Sequence, residues 1–374
     1  MTYPFDSEKL GRLMEEAGMD LLAASSEHNV RFLSGGYFYH FHAVSDRMGT
    51  SRYLPFLCIP RGRPEGAFFV RRPDEAGQIG AEGPWIREYL DAPRGTLNSA
   101  AALAGRIRSL GLERSAIGLE LPFLPADAYR SLRMDLPDAE FVDATPLLGE
   151  LRAIKTPSEL AVMRSAYARL ADAIHASFLS GREGITTKEL EGRLRVEMAG
   201  RGLAFLFALV CAGPSFLRAP SSERWERGRI LHIDAGGADR DYVADICRMA
   251  SLGGPSPLAR DLHAACIEVQ DEVRAGIRPG VTCREIRDIG ERASGRFSFS
   301  RYARFVVHGI GMVPYEPPVF DPPSDRPLEA GMVLSVETDF LHPGVGHVKI
   351  EDAVAVTSEG CEGFGDLGRE WTIL

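Results

Sequence analysis

Asp234 and Asp245 in HIDAGGADRDYVADICR, His308 in VVHGIGM, Glu337 in LSVETDF and Glu351 in HVKIEDAVAV are side chains of metal-ligand type, at spacings that chance rarely supplies. Four carboxylates and one imidazole suit a pair of divalent cations. Carboxylates bridge two metals, and imidazole favours Mn, Fe, Co or Zn over Mg or Ca. Such a pair turns a bridging water into a nucleophile near neutral pH. The chemistry these residues predict is dinuclear, metal-assisted hydrolysis.

One acid alone carries little weight, because the chain holds 52 Asp and Glu and most such residues are solvated. An acid inside an apolar strand is different, since charge is rarely buried unless paired or metal-bound. Glu337 in MVLSVETDF and Glu351 in HVKIEDAVAV have that character.

These ligands need strands to hold them. VLSVET and HVKIEDAVAV are rich in β-branched residues and read as strands. Side chains two apart share a face, so Glu337 points with Ser335 and Asp339, and Glu351 with Lys349 and His347. RILHIDAGG reads as a buried strand ending on glycines with Asp234 near its end. DYVADICRMA reads as the next strand, with Asp245 facing as Val243 and Cys247 do. Ligands on separate strands make a preorganised cage. His232 reads as a packed strand histidine, and Cys247 as a small apolar residue near the metals.

Length and composition bound the rest. A chain of 374 residues predicts two domains. A net charge of −9 without a long basic run argues against nucleic acid as a partner. No apolar run reaches the roughly 20 residues of a spanning helix, so no membrane partner is expected. The stretch MTYPFDSEKLGRLMEEAGMD lacks the apolar core of a leader peptide. Six scattered cysteines without a CxxC fit a cytoplasmic protein with free thiols.

The N-terminal part alternates between α and β patterns. A helix is expected from residue 7 to 18, with strands at DLLAASS, YLPFLCIP, GAFFVR, SAIGLELP and AEFVDAT. Further helices are expected at AALAGRIRSLG and PADAYRSLRMDLP. The boundary falls near LRAIKTPSEL, where Thr156, Pro157 and Glu159 spell a helix start. A helix should run from Pro157 to about Leu179, and another from Thr187 to about Ala199. Strands at FLFALVCAG, RILHIDAG and DYVADICRMA, then helices at PSPLARDLHAACIEVQDEVRAG and TCREIRDIGERASG, precede a final third of strand and loop. The fold class is α/β (α+β).

The five ligand positions, with the junction LRAIKTPSELAVMRSAYARLADA and the stretch MEEAGMDLLAASSEHNVRFLSGG, resemble the metallopeptidase family of aminopeptidase P, prolidase and creatinase. The resemblance covers nearly the whole chain. It implies a creatinase/prolidase-like N-terminal domain over 1–153 and a pita-bread catalytic domain over 154–374, with metals on a curved antiparallel sheet. By that resemblance Asp234 binds one metal, Asp245 and Glu351 bridge both, and His308 and Glu337 complete the second. Two divalent ions are implied, manganese by expectation, with iron, cobalt or zinc also suited, and the protein is expected to be a homodimer.

The family pattern HGxGxxxHExP begins here at His308, with Tyr315 in place of the second histidine. Glu316 follows it and resembles the family's general acid/base glutamate. Pro220 stands where family peptidases usually carry an upstream histidine. Lys349 replaces an arginine and loses its planar fork. Tyr315 can donate a hydrogen bond to an oxyanion but is a poor base at pH 7. Lys349, His347, Tyr39 and His40 are candidate substrate contacts. The last two lie in the aromatic run Tyr37–His42, which reads either as a specificity loop or as core packing. Arg47 and Arg52 could bind a substrate carboxylate, though exposed arginine is the ordinary reading.

The leading expectation is a hydrolase of Xaa-Pro dipeptidase or aminopeptidase P type, acting on a small peptide or small amide-type substrate. The second is a hydrolase or lyase of the same architecture acting on a non-peptide small molecule, as creatinase and ectoine hydrolase do. The third is a metal-binding homologue without catalysis.

Overall fold

The computed structural model describes residues 3–47, 51–364 and 366–374. The chain divides into two compact units, Met1–Leu151 and Arg152–Leu374. The first contains α1 (Ser7–Glu16), β1 (Leu21–Ala24), α2 (Glu27–Ser34), α3 (His42–Arg47), β2 (Phe56–Pro60), β3 (Phe68–Arg71), α4 (Ala76–Glu82) and β4 (Glu88–Asp91). It continues with α5 (Thr96–Ser109), β5 (Ala116–Leu119), α6 (Ala126–Asp135), β6 (Glu140–Asp143) and most of α7 (Thr145–Arg152). Its mixed sheet runs β4-β3-β2-β1-β5-β6.

Helix α2 overlaps NVRFLSGG, a stretch the sequence marks only by its closing glycines. It forms because Ser26 caps its start and Gly35 ends it in the left-handed region, at φ 87°. Of the aromatic run, Tyr37, Phe38 and Tyr39 are buried in this unit's own core, whereas His40 and Phe41 are exposed. The Tyr39 hydroxyl donates to Asp74 at 2.8 Å. Tyr37 and Tyr53 both donate to the buried carboxylate of Glu75, at 2.6 and 2.9 Å.

The second unit repeats one pattern, two helices followed by three antiparallel strands. The first half is α8 (Pro157–Leu179), α9 (Thr187–Gly200), β7 (Ala204–Ala212), β8 (Ile230–Asp239) and β9 (Tyr242–Ser251). The second is α10 (Pro257–Gly276), α11 (Cys283–Gly295), β10 (Ala303–Gly309), β11 (Val333–His342) and β12 (Gly346–Val356). Short strands β13 (Cys361–Phe364) and β14 (Thr372–Ile373) pair with β12 and β9. The main sheet runs β10-β11-β12-β9-β8-β7, antiparallel throughout this path.

Helix α8 begins as its sequence dictates. Thr156 accepts from the Glu159 amide, Glu159 accepts in return from the Thr156 amide at 2.6 Å, and Pro157 opens the first turn. Its buried stripe of Met163, Tyr167, Leu170, Ile174 and Phe178 follows helical spacing and packs against the first half of the sheet. Each such large side chain contributes roughly 1.5–3 kcal/mol by burial, so Leu170→Ala would cost about 2–5 kcal/mol. Helices α10 and α11 cover the second half in the same way, with Val269, Val273 and Ile286 packed in one cluster with Leu334 of β11. With one face of the sheet held by helices, the opposite side chains are free to carry chemistry.

Candidate metal centre

Five strands contribute one ligand-type side chain each: Asp234 from β8, Asp245 from β9, His308 from β10, Glu337 from β11 and Glu351 from β12. All five are buried. Register sets their order across the sheet. Asp234 lies opposite Cys247, Cys247 opposite Glu351, and Glu351 opposite Glu337. Ligand atoms of Asp234, Asp245 and Glu351 lie within 4.8 Å of one another, as do those of His308, Glu337 and Glu351. Glu351 belongs to both groups, the placement required of a bridging carboxylate.

Hydrogen bonds orient these groups. His308 places Nδ1 3.1 Å from the Gly309 carbonyl oxygen and Nε2 3.1 Å from Glu337 Oε1. A proton on Nδ1 donated to that carbonyl leaves Nε2 as the lone-pair donor, the arrangement typical of a metal-binding imidazole. The Ser335 hydroxyl donates to Glu351 Oε1 at 2.8 Å. Behind the sheet face, the Arg248 guanidinium donates to the backbone oxygens of Cys247 and Glu351, at 2.9 and 3.0 Å, and to Asp352 at 2.5 Å. It clamps β9 to β12 where their paired residues meet.

The electrostatics call for cations. Burial, then repulsion from Glu351 and Asp234, pushes the Asp245 carboxyl well above its usual range. Burial and Glu337 push Glu351 up to about 7. Burial alone would also raise Glu337, but Lys349 and His308 outweigh it and hold its carboxyl below the usual range. Asp245 Oδ1 is buried without a hydrogen-bond partner, so a coordinating cation would satisfy an otherwise costly atom. The donor set, burial and this orphaned oxygen all fit divalent metal ions.

Lys349 enters the cage itself. Its Nζ lies 2.7 Å from Asp234 Oδ2, 2.7 Å from Glu337 Oε2 and 2.6 Å from Glu351 Oε2. An ammonium has three donors, and here three ligand carboxylates surround it. His347 is buried too; its ring stacks on His232 at 4.5 Å, and its Nε2 lies 3.2 Å from Asp339. Arg304 reaches the same Asp339 carboxylate at 2.6 Å. The other two candidate contacts, Tyr39 and His40, belong to the first unit.

Tyr315 stacks on the His308 ring at 4.0 Å yet is 67% exposed. Burial of part of the phenol, with the nearby Glu337 and Glu351, pushes it up to about 12. Glu316 is placed differently from a free acid/base. Its carboxylate is buried against Arg152 at 3.2 Å and Lys155 at 2.8 Å, and it joins neither carboxylate group of the cage. The glycines of the motif explain its seat: a Cβ on Gly309 would collide with the Glu316 backbone oxygen, and one on Gly311 with its side chain.

Sequence reasoning missed Arg218, whose guanidinium pairs with Asp234 Oδ2. It lies two residues before Pro220, and a search of that loop for a cation rather than a histidine would have found it. Arg152 and Lys155 were missed as partners of Glu316, because nothing local in LRAIKTP marks them for a residue so distant in sequence.

Comparison with known proteins assigns both parts of the chain to known domain families. Residues 161–358 match metallopeptidase family M24, and residues 7–154 match the creatinase/prolidase N-terminal domain. An Xaa-Pro dipeptidase of Lactobacillus delbrueckii subsp. lactis is 24% identical over 377 residues, spanning 98% of each chain. The solved Xaa-Pro dipeptidase from Bacillus anthracis is 27% identical with a TM-score of 0.85, covering 99% of this chain and 100% of that one. A prolidase from Thermococcus sibiricus shares the fold at a TM-score of 0.86 and 20% identity, covering 100% of both chains. The chain belongs to metallopeptidase family M24 and is a metal-dependent hydrolase preceded by a creatinase/prolidase N-terminal domain.

Proposed function

We propose that this chain cleaves the amide bond of Xaa-Pro dipeptides or short Xaa-Pro peptides, with two divalent ions, manganese first among them. The observation that carries this reading is the convergence of five ligand side chains from five strands, with Glu351 common to both groups. Asp234, Asp245, His308, Glu337 and Glu351 would hold the ions. Bound there, divalent cations would activate water near neutral pH and polarise the scissile carbonyl. The names of the relatives support the substrate class.

The remaining residues divide the work. Tyr315 presents its exposed phenol beside His308 and would donate a hydrogen bond to oxygen as negative charge develops. With its proton held up to about 12 it does not serve as a base at pH 7. Glu316, with Arg152 and Lys155 on its two oxygens, would hold the loop after β10 in place instead of moving protons. Lys349 would act as an internal counter-ion that spaces the ligand carboxylates. Free cysteines at all six positions support a reducing, cytoplasmic compartment, and a homodimer accompanies the reading by resemblance.

A second reading has its own support. Tyrosine at 315, proline at 220 and Arg218 on Asp234 change the groups that would assist peptide cleavage. They favour a non-peptide amide, urea or related small C–N substrate. Proline release from a panel of Xaa-Pro dipeptides and longer peptides, with enzyme reconstituted in Mn²⁺, separates the two. Turnover supports the peptidase; metal bound without proline release transfers the case to small cyclic amides, ureas and N-acyl amino acids.

A further inference from the structure

We propose that His232, Asp234 and Cys247 form a further metal site, with a sulfur donor, that takes a zinc-type divalent cation beside the carboxylate cage. Ligand atoms of these three residues lie within 4.8 Å of one another. The sulfur of Cys247 is 3.5 Å from His232 Nδ1 and 3.9 Å from Nε2, and His232 Nε2 is 4.0 Å from Asp234 Oδ2. With metal–ligand bonds of about 2.0–2.3 Å, tetrahedral ligands stand roughly 3.3–3.7 Å apart. With His232 Nε2 as the common donor, its 3.9 Å to sulfur and 4.0 Å to Asp234 lie roughly 0.4–0.7 Å beyond that spacing, so the three side chains would draw together on a bound ion.

The register gives the same answer independently. Cys247 occupies the central seat of the ligand row, directly opposite Asp234 on one side and Glu351 on the other. His232 is two residues before Asp234 on the same strand and so shares its face. His232 and Cys247 are fully buried and Asp234 nearly so. The Cys247 thiol faces an imidazole nitrogen and a carboxylate, donor types that together with sulfur complete a zinc site.

The neighbouring charges decide which ion fits. Lys349 and Arg218 both approach Asp234 Oδ2, so an incoming cation competes with two positive groups for that oxygen. A hard ion held by oxygen alone competes poorly. An ion that gains affinity from sulfur and imidazole competes better, which selects Zn²⁺ or Co²⁺ over Mn²⁺ or Mg²⁺. Binding replaces the thiol proton with a metal–sulfur bond and releases one proton to solvent. Three protein ligands leave a fourth position open.

The site shares Asp234 with the centre proposed above but rests on its own residues. The test loads metal-stripped full-length protein with Co²⁺ and records its absorption, then repeats this for Cys247→Ser, Cys247→Ala and the control Cys266→Ser. The expected result is a near-ultraviolet thiolate-to-cobalt charge-transfer band in the unaltered protein and in Cys266→Ser, absent from both Cys247 variants. Zn²⁺ affinity should fall by roughly tenfold or more in the Cys247 variants, at least the cost of losing an outer partner of a ligand. Bound cobalt without that band, or a band that survives Cys247→Ser, overturns the sulfur site and leaves the carboxylate centre standing. Failure to bind cobalt at all overturns both. The band in the unaltered protein is read without any substitution, so poor folding of a variant does not protect the proposal.

Discussion

Lys349→Met removes the one ammonium that three cage carboxylates share, at 2.6–2.7 Å. The shape of the side chain is nearly kept, so the change is mainly one of charge. In metal-free protein at pH 7 it leaves Asp234, Glu337 and the cage around Glu351 with the partly exposed Arg218 and with His308, whose pKa Glu337 and Glu351 raise against the effect of burial, as nearby positive groups. Removing one partner from a buried ion pair costs about 3–5 kcal/mol. For a unit of this size 1 kcal/mol moves the melting temperature by roughly 2–4 °C, so the catalytic unit should melt roughly 6–20 °C lower. Divalent metal restores positive charge to the same oxygens, so Mn²⁺ should raise the melting temperature of the variant by more than that of the unaltered protein. Acid should narrow the gap, because Glu351 and Asp245 then carry protons. The assay is differential scanning calorimetry with chelator, with Mn²⁺, and at pH 5 and 7. A loss under about 1 kcal/mol in metal-free protein at pH 7 would refute the picture of Lys349 as the counter-ion of the cage.

Asp245→Ala and Glu351→Ala should abolish turnover and lower metal stoichiometry together, measured by elemental analysis; a variant with full turnover sinks the dinuclear assignment. Metal affinity should rise with pH up to about 7, because Glu351 keeps its proton to about 7 in the metal-free protein and must lose it to bind; titration calorimetry should show a slope of up to about tenfold per pH unit for each displaced proton. The sign for stability is opposite: a carboxyl raised from 4.5 to about 7 stabilises the metal-free fold below about 4.5, and that contribution is lost as pH rises through 7. Tyr315→His should create or raise Xaa-Pro cleavage if the missing histidine limits it, whereas a fall in an existing peptide activity makes the phenol a working group. Glu316→Gln should lower stability by about 3–5 kcal/mol in denaturant, since it leaves Arg152 and Lys155 buried against a neutral amide; a stable variant with a collapsed kcat would return proton transfer to Glu316.

What the sequence disclosed and what it hid follow from the range of the interactions involved. The caps of α8 and α9, and the faces of β11 and β12, are local patterns, and Thr156–Glu159 or the alternation around Glu351 can be read within a few residues. The five candidate ligands stood out because each breaks a local rule, an acid or imidazole within an apolar strand. Helix α2 was less visible, since its eight residues are short and of mixed polarity, and its clearest signals are the caps at Ser26 and Gly35. Glu316 read as a general acid/base, and its ion pairs stayed hidden because its partners, Arg152 and Lys155, lie more than 160 residues away. Cys247 and His232 read as packing because their meeting depends on strand pairing. Each is unremarkable in its own strand, and only the pairing of β8 with β9 and of β9 with β12 puts a sulfur between Asp234 and Glu351. The cage is thus a product of register. A one-residue slip of β9 would turn Asp245 and Cys247 away from the ligand face together, and Arg248, bonded to the backbone of Cys247 and Glu351, stands at the junction where that slip would begin. Arg248→Lys should therefore weaken metal binding more than it weakens the fold, because the compact ammonium of lysine lacks the planar fork that spans both carbonyls and Asp352. Equal losses in metal affinity and in melting temperature would make Arg248 a general fastener of the sheet and remove it from the account of the site.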